Sequence, residues 1–425
     1  MRQRHLIVIL IFLIFFVISF LTNILGPLIP ELITGFNLSV GLAGFLPFSF
    51  FVAYGILSIP AGLLIERYSH KTVLLLSFAV AFTGALLFSI WPGFYIALIS
   101  LFMIGSGMAM LQVSINPLLR EAGGESRFAF NSVLAQLFFG GASFLSPLLY
   151  SFLVRHVHAG SQSFWIQLLN TLVPENMKWV SLYWIFALVS LVMIGIISMV
   201  DFPKVVLRAD ERIEIKGVLG HLLGNRQVLF FFLGTFAYVG TEQGIANWIS
   251  QFLQTYHGID PATQGASTIA YFWGLLTLGC LLGLLLLRLF DSRKVLVAFS
   301  GAALVALACA LLGSSQMALY AFPLTGLFAS VMWSIIVSLA LNSVTSHHGT
   351  FSGILCSGIA GGAILPLLIG GMAEITGLRY AMGLLCIPLG YILSIGLWAR
   401  PLVSNQTVSG WRELVSMKKK EANLQ

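Results

Sequence analysis

One carboxylate lies where a carboxylate is costly. The stretch FAYVGTEQGIANWISQF, residues 236–252, follows the apolar run VLFFFLG at 228–234, and Glu242 falls near the middle of the combined segment. Placing such a charge at the centre of a bilayer costs about 3 kcal/mol or more, so a chain that keeps one uses it. Three uses fit: binding a coupling cation, accepting hydrogen bonds from a ligand's hydroxyls, or joining two helices as a protonated carboxyl. Gln243, Asn247 and Gln251 recur at four-residue steps and share one helix face. Amides both donate and accept, which suits a hydroxyl-rich ligand; the same stripe also fits a polar seam between helices. Trp248 adjoins the stripe, and an indole can stack on a flat apolar face; Trp273 and Trp333 also lie within apolar runs. No Lys or Arg lies deep in any such run, which leaves Glu242 without a built-in ion partner and leaves room for a transported H+ or Na+.

These residues need elements to hold them, and composition says which. Of 425 residues, 58% are hydrophobic and 9% are charged, where soluble domains carry about 25% charged residues. Mean hydropathy is +0.96. That describes an all-α protein crossing the bilayer many times, since each helical crossing takes about 20 apolar residues. The run from Leu6 to Gly26 is such a crossing; it exceeds a signal-peptide core and ends in no small-residue cleavage site. Reading apolar runs against loop signals predicts twelve helices, at 6–34, 40–65, 72–92, 96–119, 128–154, 179–200, 227–254, 264–288, 293–313, 317–341, 348–373 and 379–400.

Charge then orients them. With both termini in the cytoplasm, all but three of the 22 Lys and Arg fall on the cytoplasmic side, the exceptions being Arg155, Lys178 and Arg379. The net charge of +7 is therefore a matter of topology and gives no reason to expect nucleic acid. The charged segment 201–226 divides an N-terminal six-helix bundle (1–200) from a C-terminal one (227–400), and 401–425 reads as a cytoplasmic tail with its lysines near headgroups. The four cysteines lie in apolar runs, and neither a disulfide framework nor a metal cluster is visible. His347 and His348 read as solvated loop residues. No nucleophile–base set and no Walker A motif point to an enzyme or an ATP-driven pump. In the long connection 155–178, SFWIQLLN at 163–170 reads as a short amphipathic surface helix.

The two halves echo each other. GLLIERYSHKTVLLLSF (62–78) follows the second helix and GLLLLRLFDSRKVLVAF (283–299) follows the eighth; FFGGASFLSPLL (138–149) is echoed by IAGGAILPLL (359–368). Motifs repeating six helices apart indicate duplicated bundles, a plan of many secondary transporters. At these motifs the chain resembles the major facilitator superfamily. Gly62, Glu66, Arg67 and Lys71 match its loop pattern, with Ser69 replacing a glycine and His70 a basic residue. That resemblance implies twelve helices in two pseudo-symmetric six-helix bundles, alternating access, and a gating role for Gly62, Glu66, Arg67, Lys71, Arg288 and Lys294.

A narrower resemblance, to the fucose–proton symporter family, rests on SIPAGLLIERYSHK (58–71), INPLLREAGGESRFAFNSVLAQLFFGGA (115–142) and YVGTEQGIANWI (238–249). It implies a monosaccharide substrate and places Asn23, Gln112 and Gln136 at the sugar cavity. It also exposes two departures: the positions that carry acidic proton carriers in the fucose permease hold Gly26 and Gln112 here. The expectation is a monomeric secondary transporter of a hexose such as glucose, galactose or fucose in a bacterial inner membrane, needing no cofactor, and either coupled to H+ or Na+ or uncoupled. Its substrate site comprises Asn23, Gln112, Gln136, Glu242, Gln243, Asn247 and Trp248, with Glu242 as the coupling candidate. Export of amphipathic compounds by the same fold, and a sugar sensor that does not translocate, are the alternatives. Gly240 and Gly244 beside Glu242 serve either local unwinding or close packing.

Overall fold

The computed structural model describes residues 2–67, 69–123, 128–160, 163–200, 202, 224–343 and 348–400. Among them, twelve helical segments are long and apolar enough to cross a membrane: His5–Phe36, Val40–Ser58, His70–Ile90, Phe94–Ile115, Leu134–His156, Glu175–Met199, Arg226–His257, Pro261–Leu287, Ser292–Leu312, Ser315–Leu341, Ile354–Thr376 and Leu378–Trp398. We number these spans first to twelfth. They follow the twelve runs expected from hydropathy, because in lipid a helix satisfies its backbone within itself and the pattern is local. Most of the expected linker 201–226, the whole tail 401–425 and His347 lie outside the described residues.

The span ends are set by recognisable chemistry. Ser39, Asn225, Asp260, Asp291 and Ser314 each accept a backbone N–H at the start of a span. The seventh span stops at Gly258, whose φ of 64° lets Ile259 N–H reach back to the Leu253 carbonyl at 3.2 Å. The expected surface helix is present as Phe164–Leu172, with Ile166 buried and Phe164 and Trp165 exposed.

Duplication is visible in the packing. In the first bundle Gly105 of the fourth span lies on the backbone carbonyl of Phe50 in the second, so closely that a Cβ would overlap it. In the second bundle Gly326 of the tenth span lies in the same way on the Phe272 carbonyl of the eighth. The same contact recurs six spans later, the fold class the motifs implied.

Local unwinding occurs elsewhere than beside Glu242. The seventh helix is continuous from Arg226 to His257, and Gly240 and Gly244 there let Leu365 of the eleventh span and Leu385 of the twelfth approach. The first span breaks, into helices Arg2–Thr22 and Leu25–Phe36. Pro27 and Pro30 explain it: neither has an N–H for the carbonyl four residues back, at Asn23 and Gly26. The tenth span breaks at Ser330–Val331 and the eleventh tightens to a 3₁₀ turn at Gly358–Ala360.

Candidate functional site

The burial pattern of the seventh span locates the site. From Ala237 to Leu253 every residue is buried except Glu242, which keeps partial exposure. A helix enclosed on all sides has no lipid-facing stripe there. The partial accessibility left at Glu242 sets this one side chain apart from its enclosed neighbours. Tyr238, one turn earlier, donates its hydroxyl to Glu242 Oε1 at 3.3 Å. The Tyr238 ring lies 6.0 Å from the half-buried Trp333 of the tenth span, tilted by 47°. Cys280 of the eighth span lies close enough to interact electrostatically with Glu242, and its Sγ–H donates to the Ser330 carbonyl at the tenth-span break, at 3.4 Å. The carboxyl thus sits beside a phenol of its own span and near a thiol of the eighth, with oxygen lone pairs to offer a cation or a hydroxyl.

The amides of the same helix lie in the enclosed part. Asn247 Nδ2 donates to Gln243 Oε1 at 3.5 Å, and Gln251 Nε2 donates to Thr255 Oγ1 at 3.0 Å, leaving the buried Gln251 Oε1 unpartnered. Both bonds stay on one helix, so neither ties the seventh span to a neighbour. The Gln243 stem lies beside Gly362 of the eleventh span, as does Phe51 of the second, at a meeting of the two bundles. Trp248 is fully buried and donates its Nε1–H to the Pro366 carbonyl at 3.2 Å. The indole N–H of Trp273, also buried, has no partner.

The first span holds its polar residue differently. Asn23 Nδ2 donates to Ser143 Oγ at 2.9 Å and to Ser19 Oγ at 3.3 Å, and Ser146 Oγ–H donates to the Phe20 carbonyl. A serine seam thus binds the first span to the fifth. Three residues beyond Asn23, Gly26 lies on the Ala246 carbonyl, and three residues before Ala246 is Gln243. Asn23 and Gln243 are accordingly at one level, about 4.5 Å along the axes from that contact. A side chain at position 26 would overlap the seventh span in this arrangement. Gln112 is half-buried on the fourth span and Gln136 is exposed on the fifth.

Of the expected gating residues, Lys71 donates from Nζ to the Ser198 carbonyl at 2.9 Å, tying the third span to the end of the sixth. Lys294 is exposed beside Asp291, whose carboxyl makes a 2.9 Å ion pair with Arg293. Gly62, Glu66, Arg67 and Arg288 are helical, and their side chains lie outside the described part of the structure. Among the described residues, no group of three or more His, Cys, Asp or Glu could hold a metal ion.

The bundles close on each other at the face opposite the termini. Besides Gly26 on Ala246, Gly370 of the eleventh span approaches Val40 and Gly44 of the second, and the backbone N–H of Gly41 donates to Glu374 at 3.0 Å. An apolar hollow between the fifth and eighth spans, lined by Leu137, Phe144, Tyr271 and Leu278, offers little to a polar ligand. Sequence reading passed over Tyr238, Cys280 and Ser143. Tyr238 was legible as the residue one turn before Glu242; the other two become neighbours only through tertiary packing.

Comparisons with known proteins agree with this geometry. The family model of the Major Facilitator Superfamily matches residues 11–252 and 231–416. The glucose/galactose transporter of Brucella abortus biovar 1 (strain 9-941) is 31% identical over 390 residues, spanning 91% of this chain and 92% of that one. The L-fucose-proton symporter of Escherichia coli (strain K12) is 25% identical over 393 residues, spanning 85% and 86% of the two chains. Among solved structures, a bacterial homologue of the human lysosomal transporter Spinster, inward-facing and unoccupied, superposes with a TM-score of 0.77 at 15% identity, over 93% of this chain and 97% of that one.

Proposed function

We propose that this chain, which belongs to the Major Facilitator Superfamily, is a secondary transporter that carries a hexose across the bacterial inner membrane by alternating access. The names of its relatives support the substrate class: a glucose/galactose transporter and an L-fucose-proton symporter align over most of its length. The observation that carries the site is the lone exposure of Glu242 within 237–253.

In this reading both termini are cytoplasmic, which the Lys and Arg distribution supports, and the closed face is the outer one. Bundles 1–200 and 227–400 rock about a sugar, joined by 201–226, and the protein works as a monomer. Glu242, backed by Tyr238, meets either the coupling H+ or Na+ or a sugar hydroxyl. Gln112 and Gln136 supply hydrogen bonds from the first bundle. Gln243, Asn247 and Trp248 lie buried beneath the outer closure and join Asn23 around the sugar as that closure loosens. Lys71, Lys294 and the loop motif around Gly62, Glu66, Arg67 and Arg288 steady the cytoplasmic face.

Uptake of labelled glucose, galactose and fucose into proteoliposomes tests this, with and without a Na+ gradient and across pH, in wild type and Glu242→Gln. Saturable uptake of one hexose is expected, with its ion dependence lost in Glu242→Gln. A folded, reconstituted protein that moves none of them would overturn the substrate class, and unchanged uptake and ion dependence in Glu242→Gln would overturn the role of that residue.

A further inference from the structure

Two carboxylate contacts cross between the bundles at the closed face, and they have opposite signs. Glu374, near the end of the eleventh span, is exposed, and its Oε1 accepts the backbone N–H of Gly41 at 3.0 Å. Gly41 lies in the first turn of the second span, where the N–H of Leu42 is taken by Ser39 Oγ at 3.2 Å. Early N–H groups of a helix have no partner within it, so a carboxylate supplied by the other bundle satisfies one of them and is favoured there. The fit is close. A Cβ at position 41 would lie 2.6 Å from the Glu374 carboxyl carbon, and a Cβ at Gly370 would lie 2.9 Å from the Val40 carbonyl. Backbone meets backbone at this crossing.

The second contact is repulsive. Helix Leu25–Phe36 packs on the turn Pro261–Gly265 of the other bundle. This brings the half-buried Glu31 carboxyl within electrostatic reach of Asp260, which precedes that turn. Asp260 is held in place by its own turn, accepting from Ala262 N–H and Thr263 Oγ–H. The other group acting on Glu31 is Tyr150, whose fully buried hydroxyl lies beside the carboxyl but short of hydrogen-bond geometry. No cation is among the groups acting on Glu31, so closing the face brings two acids together.

We propose that these contacts form an opposed pair that sets how long the outer gate stays shut: Glu374 on Gly41 holds it, and Glu31 against Asp260 opens it. The proposal rests on the alternating-access reading above. It gives the gate a lifetime set by a difference between two local terms, which a transporter that must reopen each cycle requires.

The test reads gate opening without any substrate, so it stands apart from whether a hexose is carried. In a background with the four native cysteines replaced, Ala246→Cys places a thiol on the residue of the seventh span whose carbonyl Gly26 covers, beneath the closed face. Labelling by a membrane-impermeant maleimide added from outside right-side-out vesicles then proceeds at the rate the gate opens. Glu374→Ala is expected to raise that rate about three- to tenfold, the range for one charged hydrogen bond at an exposed site. Glu374→Gln keeps an acceptor oxygen and stays within about twofold of the parent. Gly41→Ala, which crowds the same carboxylate from the other side, raises the rate as Glu374→Ala does and guards against a folding artefact in either one. Glu31→Gln lowers the rate. Movement of Glu31→Gln and Glu374→Ala in the same direction would mark a general effect of surface acidity and overturn the proposal. So would an unchanged rate in either variant.

Discussion

The first and seventh spans occupy corresponding places in the two bundles, yet they hold polar residues in opposite ways. In the first, the Asn23 amide is engaged by serines, Ser19 of its own helix and Ser143 of the fifth span. In the seventh, the carboxyl and amide side chains bond along the helix itself, from Tyr238 to Glu242, from Asn247 to Gln243 and from Gln251 to Thr255, while Thr235 and Trp248 tie the span to the eleventh through the Leu355 and Pro366 carbonyls. A bond to another helix is architecture, because breaking it loosens the bundle. A bond to one's own helix can be exchanged for a bond to a ligand with no helix displaced. The carboxyl and amides of the seventh span are therefore the groups that can be lent to a ligand, whereas the Asn23 amide holds two spans together.

The largest effect that tests this contrast is steric. Gly26→Val is expected to reduce uptake by well over tenfold, because a side chain there overlaps the Ala246 carbonyl and blocks closure, a backbone clash of the kind that costs 1–3 kcal/mol or more. Uptake near the wild-type rate would show that the first span does not seat on the seventh. Next comes Glu242→Ala, for which uptake should fall about ten- to hundredfold while thermal stability in detergent stays close to wild type, since the lost charged hydrogen bonds go to the ligand.

Asn23→Ala should reverse that split. Melting in detergent should shift by the equivalent of about 0.6–1.7 kcal/mol for a buried interhelical bond, and Ser143→Ala should do much the same. The apparent KM for sugar should change less than in Glu242→Ala. A KM effect in Asn23→Ala as large as in Glu242→Ala would dissolve the contrast between the two spans.

The smallest expected effect concerns Asp291, which starts the ninth span. The Arg293 guanidinium and backbone N–H hold its carboxyl below the usual carboxylate range. Because its folded pKa is depressed, its contribution is present at neutral pH and is lost as pH falls through that folded value. Asp291→Ala should cost about 1 kcal/mol at pH 7, as for a lost helix cap. The gap from wild type should begin to narrow as pH falls below the ordinary carboxylate value of about 4 and close only below the depressed folded value. Thermal melts at the two pH values check both statements.

Much of this molecule is legible without a structure because lipid makes its constraints local. A span announces itself by hydropathy, and Glu242 stands out because nothing else deep in a span is charged. The Cys280 thiol near Glu242 lies some 40 residues away in the chain, and no local pattern carries that. The glycines beside it offered two readings, and partners more than a hundred residues distant, Leu365 and Leu385, select packing over unwinding. The break belongs instead to Pro27 and Pro30, two residues plain in the sequence whose effect on the first span was not weighed there. Glu31, Asp260 and Glu374 all read as loop or helix-end acids, because what distinguishes them is the bundle across the interface.

The broken first span makes its outer third an elbowed flap. Leu25–Phe36 is covalently part of one bundle but is seated on the seventh span of the other. The elbow at Asn23–Ile24 lets the flap swing by rotating a few backbone dihedrals, with Asn23 pinned to the fifth span as its pivot. Closing over a sugar and rocking the bundles are then separable movements.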